Sequence, residues 1–220
     1  MKSKNWIRKQ PVIHFNEIAR RLKSRGYAKI FVHRLVKKSS LIRVTKGIYS
    51  ASDNVFEVAS NIYYPSYVSF LSASYRHGFT ETIPRIIYVV SNRAHKELDF
   101  KGYLIEFIKS EQVFGYQKDG NEFIADIEKL MVDVFSHPKC MGNFDEITNI
   151  FSKSEKIDVA TLKQYLKKLN SSKIYRCVGY MLEKYKNEDI FGFMPMDKNY
   201  YSLDPFKPGK KINKKWRLKV

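Results

Sequence analysis

Acidic residues are almost missing from both ends of this 220-residue chain. Residues 1–50 carry fourteen Lys and Arg against a single acid, Glu17, for a net +13, and residues 207–220 carry seven against none. The stretch between, 51–206, holds 19 basic and 21 acidic residues, so the +18 of the whole chain is a property of its ends. Charge divided in this way points to a polyanionic partner. Cysteine is scarce as well: Cys140 and Cys177 are the two present, which provides no disulfide framework and suits a reducing cytoplasm. The N-terminal MKSKNWIRKQPVI has the charges of a signal peptide without the following apolar run of about 7–15 residues. No stretch approaches the ~18 apolar residues of a membrane span. Neither secretion nor membrane insertion is expected.

What is present reads as a folded protein, with 44% hydrophobic residues and abundant Phe and Tyr. The length allows one large domain, or a small module joined to a main domain. The first fifty residues parse into three short helices and a hairpin. Trp6 and Ile7 anchor a short helix that ends before Pro11. Phe15, Ile18, Ala19 and Leu22 then recur at helical spacing, with Asn16 as the expected cap and Gly26 as the expected stop. A second helix is expected over residues 29–38, with Phe31, Val32, Leu35 and Val36 on its inner face. SSLIRVTKGIYSAS, residues 39–52, reads as two strands turning at Lys46-Gly47.

Two helices joined by a tight turn and followed by a hairpin predict a winged helix-turn-helix over residues 1–52. Burying the apolar faces leaves Lys29, His33, Arg34, Lys37 and Lys38 outward on the second helix, and Arg43, Thr45 and Lys46 on the hairpin. A cationic helix of this size fits the ~12 Å major groove of DNA. Tyr27, Lys29 and His33, expected near its start, are the candidates for base edges. Arg34 is suited to bidentate guanine contact, and Arg43 and Lys46 to the backbone or minor groove. The competing reading is a solvated basic face on a small helical domain.

Beyond residue 52 the pattern becomes that of a mixed α/β (α+β) domain, residues 53–206, whose C-terminal half is helical. An apolar helix around Val55–Ile62 is followed by one expected to be capped by Ser66 and to end at Gly78. Residues 84–92 are nearly continuous in apolar residues, as in a buried strand, and 102–109 alternate. Residues 113–124 read as a hairpin about Asp119-Gly120. Four amphipathic stripes follow, headed by Ile127, Phe144, Val159 and Ile174, and are expected to pack on one another and on the sheet. The remainder, residues 207–220, reads as a flexible basic tail in which Lys210, Lys211, Lys214, Lys215 and Arg217 are further candidates for DNA contact.

Three segments carry a family resemblance: RVTKGIYSA; PSYVSFLSASYRHGFTETIPRIIYVVSN; and FGYQKDGNEFIADIEKLMVDVF. Together they resemble the AbiEi family of antitoxin transcriptional regulators over most of the chain, most weakly after Gly142. The resemblance implies a winged helix that binds inverted-repeat double-stranded DNA at its own promoter. It also implies a second domain that counters a nucleotidyltransferase-like toxin, without requiring a stable complex with it. An orphan DNA-binding protein, or a protein-interaction antitoxin with nonspecific basic ends, is the alternative.

An enzyme is not expected, and no catalytic residue, metal or cofactor is assigned. His137 and Cys140 offer two metal ligands where a structural zinc needs four. Asp99, Glu106 and Lys109 match a nuclease centre only loosely, and KPGKK lacks the spacing of a phosphate loop. Glu128, Lys129 and Asp133 lie on the helix that carries the family motif; Lys129 and Asp133 at least read as a local ion pair worth a few tenths of a kcal/mol, with a part for the three in antitoxicity as the alternative.

Overall fold

The structure, a computed structural model, describes residues 5–220; Lys2 and Lys4, which add to the N-terminal charge, lie outside the described residues. The fold is mixed α/β and divides into two compact units, but not at residue 52. The first unit comprises the chain up to Val68 together with Arg85–Val113 and Gln117–Ile124. The second comprises Ser69–Pro84, Phe114–Tyr116 and Ala125–Val220. The helix pair and hairpin therefore share a unit with most of the following sheet.

In the first unit a 3-10 turn, Asn5–Lys9, leads into β1 (Val12–His14), α1 (Phe15–Arg21), α2 (Arg25–Lys37), β2 (Ile42–Thr45) and β3 (Ile48–Ser50). The expected hairpin is present, with Gly47 at φ +80° in its turn, a conformation that glycine adopts without steric cost. The helix boundaries differ from expectation. Asn16 does not cap α1, whose cap position is His14, and Gly26 does not end it. The chain turns instead at Lys23, φ +53°, and the Ser24 hydroxyl accepts a bond from the Tyr27 amide at 3.2 Å. That cap satisfies an otherwise orphan N–H, which a glycine cannot do. As a result α2 starts four residues earlier than its apolar spacing suggested and includes Gly26 in its first turn.

Strand β1 is too short for periodicity to detect. It pairs antiparallel with β3, Ile13 opposite Tyr49, so β3 lies between β1 and β2. Ile7, Ile13, Ile18, Ala28, Val32 and Leu41 form the core beneath, the Ile, Val and Leu side chains each contributing about 1.5–3 kcal/mol by leaving water.

The chain continues through α3 (Val55–Asn61), β4 (Ser66–Val68), α4 (Phe70–Arg76), β5 (Ile86–Ser91), β6 (Leu98–Phe100), β7 (Tyr103–Lys109), β8 (Tyr116–Asp119) and β9 (Glu122–Ala125). The sheet order is β6-β7-β5-β4-β9-β8. Strand β5 runs parallel to β7 and antiparallel to β4, and its Ile87, Val89 and Val90 are buried, as the nearly continuous apolar run predicts. Ser66 is not a helix cap. It belongs to β4, pairs with Ser91, and donates its hydroxyl to the Ser60 carbonyl at 3.2 Å. Ladder partners on both sides of β4 outweigh the local capping signal.

The second unit contains α4 and the four expected helices: α5 (Ile127–Ser136), α6 (Phe144–Lys153), α7 (Val159–Leu169) and α8 (Ser172–Lys186). Asp126, Asn143, Asp158 and Ser171 cap the four in turn, each side chain accepting from a backbone N–H two or three residues on. Helix α5 is central and packs against α4, α6, α7 and α8. Its residues 129–135 are all buried. Lys129 and Asp133 therefore do not form the surface pair expected. Their side chains are 2% and 6% exposed, Ser69 Oγ donates to Asp133 Oδ2 at 2.8 Å, and the Lys129 ammonium lies 4.8 Å from the Phe114 ring centroid.

The basic tail is not a loose appendage. Three short strands, β10 (Tyr201–Ser202), β11 (Ile212–Asn213) and β12 (Leu218–Lys219), form a small sheet in the order β10-β12-β11. Trp216 is fully buried, with its ring centroid 5.6 Å from that of Tyr175 and 5.3 Å from that of Phe191. Its ring occupies the space that a Cβ on Gly179 would need. Burial of Trp216 and Leu218 outweighs the tail's charge, a term invisible to a composition argument.

Two outcomes follow from this packing. Lys129→Ala removes the cation paired with a buried carboxylate and is expected to cost about 3–5 kcal/mol in urea unfolding. Gly179→Ala is expected to cost about 1–3 kcal/mol by overpacking and to weaken the near-UV signal of Trp216.

Candidate nucleic-acid interface

The N-terminal helices and hairpin enclose an open cleft of about 600 Å³. Arg25 and Lys29 line it from α2, Arg43 and Lys46 from the hairpin, and His14, Asn16 and Tyr63 complete its polar and aromatic lining. Among the described residues that line it, none is acidic. Glu17, the single acid of the N-terminal segment, is bonded to Arg21 at 2.8 Å and to Gln10 at 3.2 Å. Four like charges around one depression repel each other, and an anion seated among them relieves that repulsion.

Several side chains shape this cleft. Burial of Ala28 and Val32 sets the rotation of α2, turning Arg25 and Lys29 toward the hairpin side. The Arg25 guanidinium lies 5.4 Å from the Phe15 ring centroid, a contact that orders it. His14 Nε2 donates to the Ile62 carbonyl at 3.0 Å. Tyr63 stacks on His95 with centroids 3.6 Å apart. Burial, and then the nearby Arg93 charge, push the His95 imidazole below its ordinary value, which favours the neutral ring in that stack.

Of the residues expected to contact DNA, Lys29, Arg43 and Lys46 come together in this cleft. His33, Arg34 and Lys37 are exposed along α2 and Lys38 at its C-terminal cap, and Thr45 is half-buried. Tyr27 is 45% exposed, with its ring 6.2 Å from that of Phe31. Because α2 begins at Arg25, Tyr27 lies in its first turn but Lys29 and His33 lie further along. Residue spacing alone missed Arg25, His14 and Asn16. The Ser24 cap was the signal that would have placed Arg25 on the helix.

The tail residues divide. Lys210 and Lys211 are exposed and, with Lys184 and Lys207, line a cleft of about 470 Å³ in the second unit; Lys214 is exposed. Lys215 bonds Asp189 at 2.9 Å and Glu183 at 3.0 Å, and Arg217 donates to the Asp197 carbonyl at 2.7 Å. Both cations thus have partners within the second unit.

Among the described residues no helix is long and apolar enough to cross a membrane. Nor does any group of three or more His, Cys, Asp or Glu stand ready to hold a metal. No family model and no curated protein matches the chain. Among solved structures, the crystal structure of the RV2827C protein from Mycobacterium tuberculosis is similar in fold, with a TM-score of 0.66 and 11% identity. The match covers 97% of this chain and 88% of that one. At that identity the likeness concerns the fold alone.

The tail predicts a pH response. The Trp216 indole N–H, donated at 2.6 Å, and then Lys215 hold the Glu183 carboxylate below its ordinary range. Lys215, followed by the Phe191 amide, does the same for Asp189. A carboxylate depressed in the fold contributes stability that is present above its unfolded value and lost as pH falls through the folded one. In a Trp6→Phe background, Trp216 fluorescence is expected to hold at neutral pH and to shift red as pH drops below about 4. Lys215→Ala is expected to weaken that acid dependence.

Proposed function

We propose that this chain is a cytoplasmic DNA-binding transcriptional regulator whose N-terminal winged helix-turn-helix engages double-stranded DNA through α2 and the β2–β3 hairpin. One observation carries the reading: Arg25, Lys29, Arg43 and Lys46, from two elements, line a single cleft with no acid among its lining residues. A duplex offers regularly spaced phosphates, and cations on two elements can grip one backbone while the outer face of α2 meets the bases. Two buried free cysteines accord with a reducing compartment.

The finer reading is that the protein represses its own operon at inverted repeats and counters a nucleotidyltransferase-like toxin. Its support is the resemblance of the three quoted segments to AbiEi antitoxins. No cofactor or metal is invoked, and the role proposed is not enzymatic. The buried Lys129–Asp133 pair, 2% and 6% exposed, is structural in this view.

Fluorescence anisotropy with the duplex upstream of the coding sequence, against a scrambled duplex at about 50 and 200 mM salt, tests the reading. A preference of about 10³-fold or more is expected. Arg25→Ala, Lys29→Ala and Lys46→Ala are each expected to lower the salt slope by roughly one. Equal, steeply salt-dependent affinity for the two duplexes would reduce the N-terminal face to a nonspecific clamp.

A further inference from the structure

Helix α2 carries an apolar residue where its charge pattern least predicts one. Ile30 is 53% exposed, and it is not among the residues of the N-terminal core. It lies two positions from each of the buried residues Ala28 and Val32, which at about 100° per residue sets it roughly 160° around the helix from both. It therefore points directly away from the core. The same ridge carries Gly26, His33 and Lys37, at spacings of four and three residues, all exposed, with Lys29 and Arg34 flanking. No atom lies within 4 Å of the Cβ position of Gly26, so no side chain there keeps the first turn from approaching a surface.

Single exposed apolar residues are common on protein surfaces, but an isoleucine at the centre of a cationic ridge, where Ala, Lys or Arg would form helix better, suits a polyanion whose readable edge includes an apolar group. In duplex DNA that group is the 5-methyl of thymine, which projects into the major groove.

We propose that Ile30 contacts the thymine 5-methyl group in the major groove of the duplex this protein binds, and so contributes sequence preference that the surrounding cations cannot. The inference rests on the DNA-binding reading above. It reassigns the centre of the readout from Tyr27 and Lys29 to the ridge of Ile30, His33 and Lys37, while Arg25, Lys29, Arg43 and Lys46 grip phosphates.

The test is a binding-site selection by the full chain from a random duplex library, followed by replacement of each thymine in the selected site with deoxyuridine, one at a time. That change deletes only the methyl group. At one or two positions the wild-type protein is expected to bind about three- to fivefold more weakly, the scale of one buried methyl. Ile30→Ala, a substitution at an exposed position by a better helix former, is expected to lose a similar factor on the thymine duplex and to show no thymine-over-deoxyuridine preference at those positions. A selected site that is indifferent to deoxyuridine, or an Ile30→Ala protein that keeps the full methyl preference, overturns the inference and leaves DNA binding intact. Self-association that Ile30→Ala abolishes, in sedimentation without DNA, overturns it in favour of a second copy of the chain as the occupant. Failure to enrich any sequence overturns the DNA-reading role, and the assignment of Ile30 with it.

Discussion

Strand β3 is shared. It pairs with β2 to make the hairpin and with β1 to join that hairpin to the chain entering α1, and the Phe15 amide donates to the Gly47 carbonyl at 2.8 Å. The Ser50 hydroxyl adds a bond to the Pro11 carbonyl at 2.8 Å. The hairpin is thereby held against the start of α1, whose partner α2 carries Arg25 and Lys29. An unpaired two-stranded hairpin is marginal in water. Pairing with a third strand makes it a fixed wall that keeps Arg43 and Lys46 across the cleft from the helix. Pre-placed cations pay less ordering entropy when an anion arrives than cations on a mobile loop would.

In the second unit the comparable organiser is apolar. Helix α5 is buried along almost its whole length and gives α4, α6, α7 and α8 a common surface. The chain after α8 is then drawn back by two groups of that helix. Arg176, fully buried, donates to the Asn199 carbonyl at 2.5 Å and to Asp197 at 2.6 and 2.9 Å. Gly179 leaves the space that Trp216 fills. Lys215 and Arg217, which look like free cations in the sequence, are committed to carbonyl and carboxylate partners inside this arrangement. Lys210, Lys211 and Lys214 keep the exposure that composition assigns to them.

Two segments of the chain are thus strongly basic for different reasons. In the N-terminal unit the cations face a cleft whose lining includes no acid, and the field there acts on whatever enters it. In the tail Lys215 is matched by local acids and acts on the fold. Net charge does not distinguish these cases, because the sum over a segment contains no information about which carboxylates the fold brings near.

Much of the architecture was legible in the sequence. The four helices from α5 to α8 announce themselves by apolar spacing, the buried strand β5 by its nearly continuous apolar run, and the β2–β3 hairpin by Lys46-Gly47. These are local signals, written within one or two turns of the chain. Other features belong to the tertiary structure. The start of α2 at Arg25 depended on a choice between a serine cap and a glycine stop. The strand state of Ser66 depended on two neighbouring strands, and the burial of Lys129 and Asp133 on helices packed around α5. The order of the tail depended on a cavity at Gly179, 37 residues before Trp216. The sequence by itself determined which residues are cationic and which faces are apolar, since both are properties of residue type and spacing. Only the tertiary structure decided which cations meet one another in a cleft and which are neutralised, because that depends on contacts between residues distant along the chain.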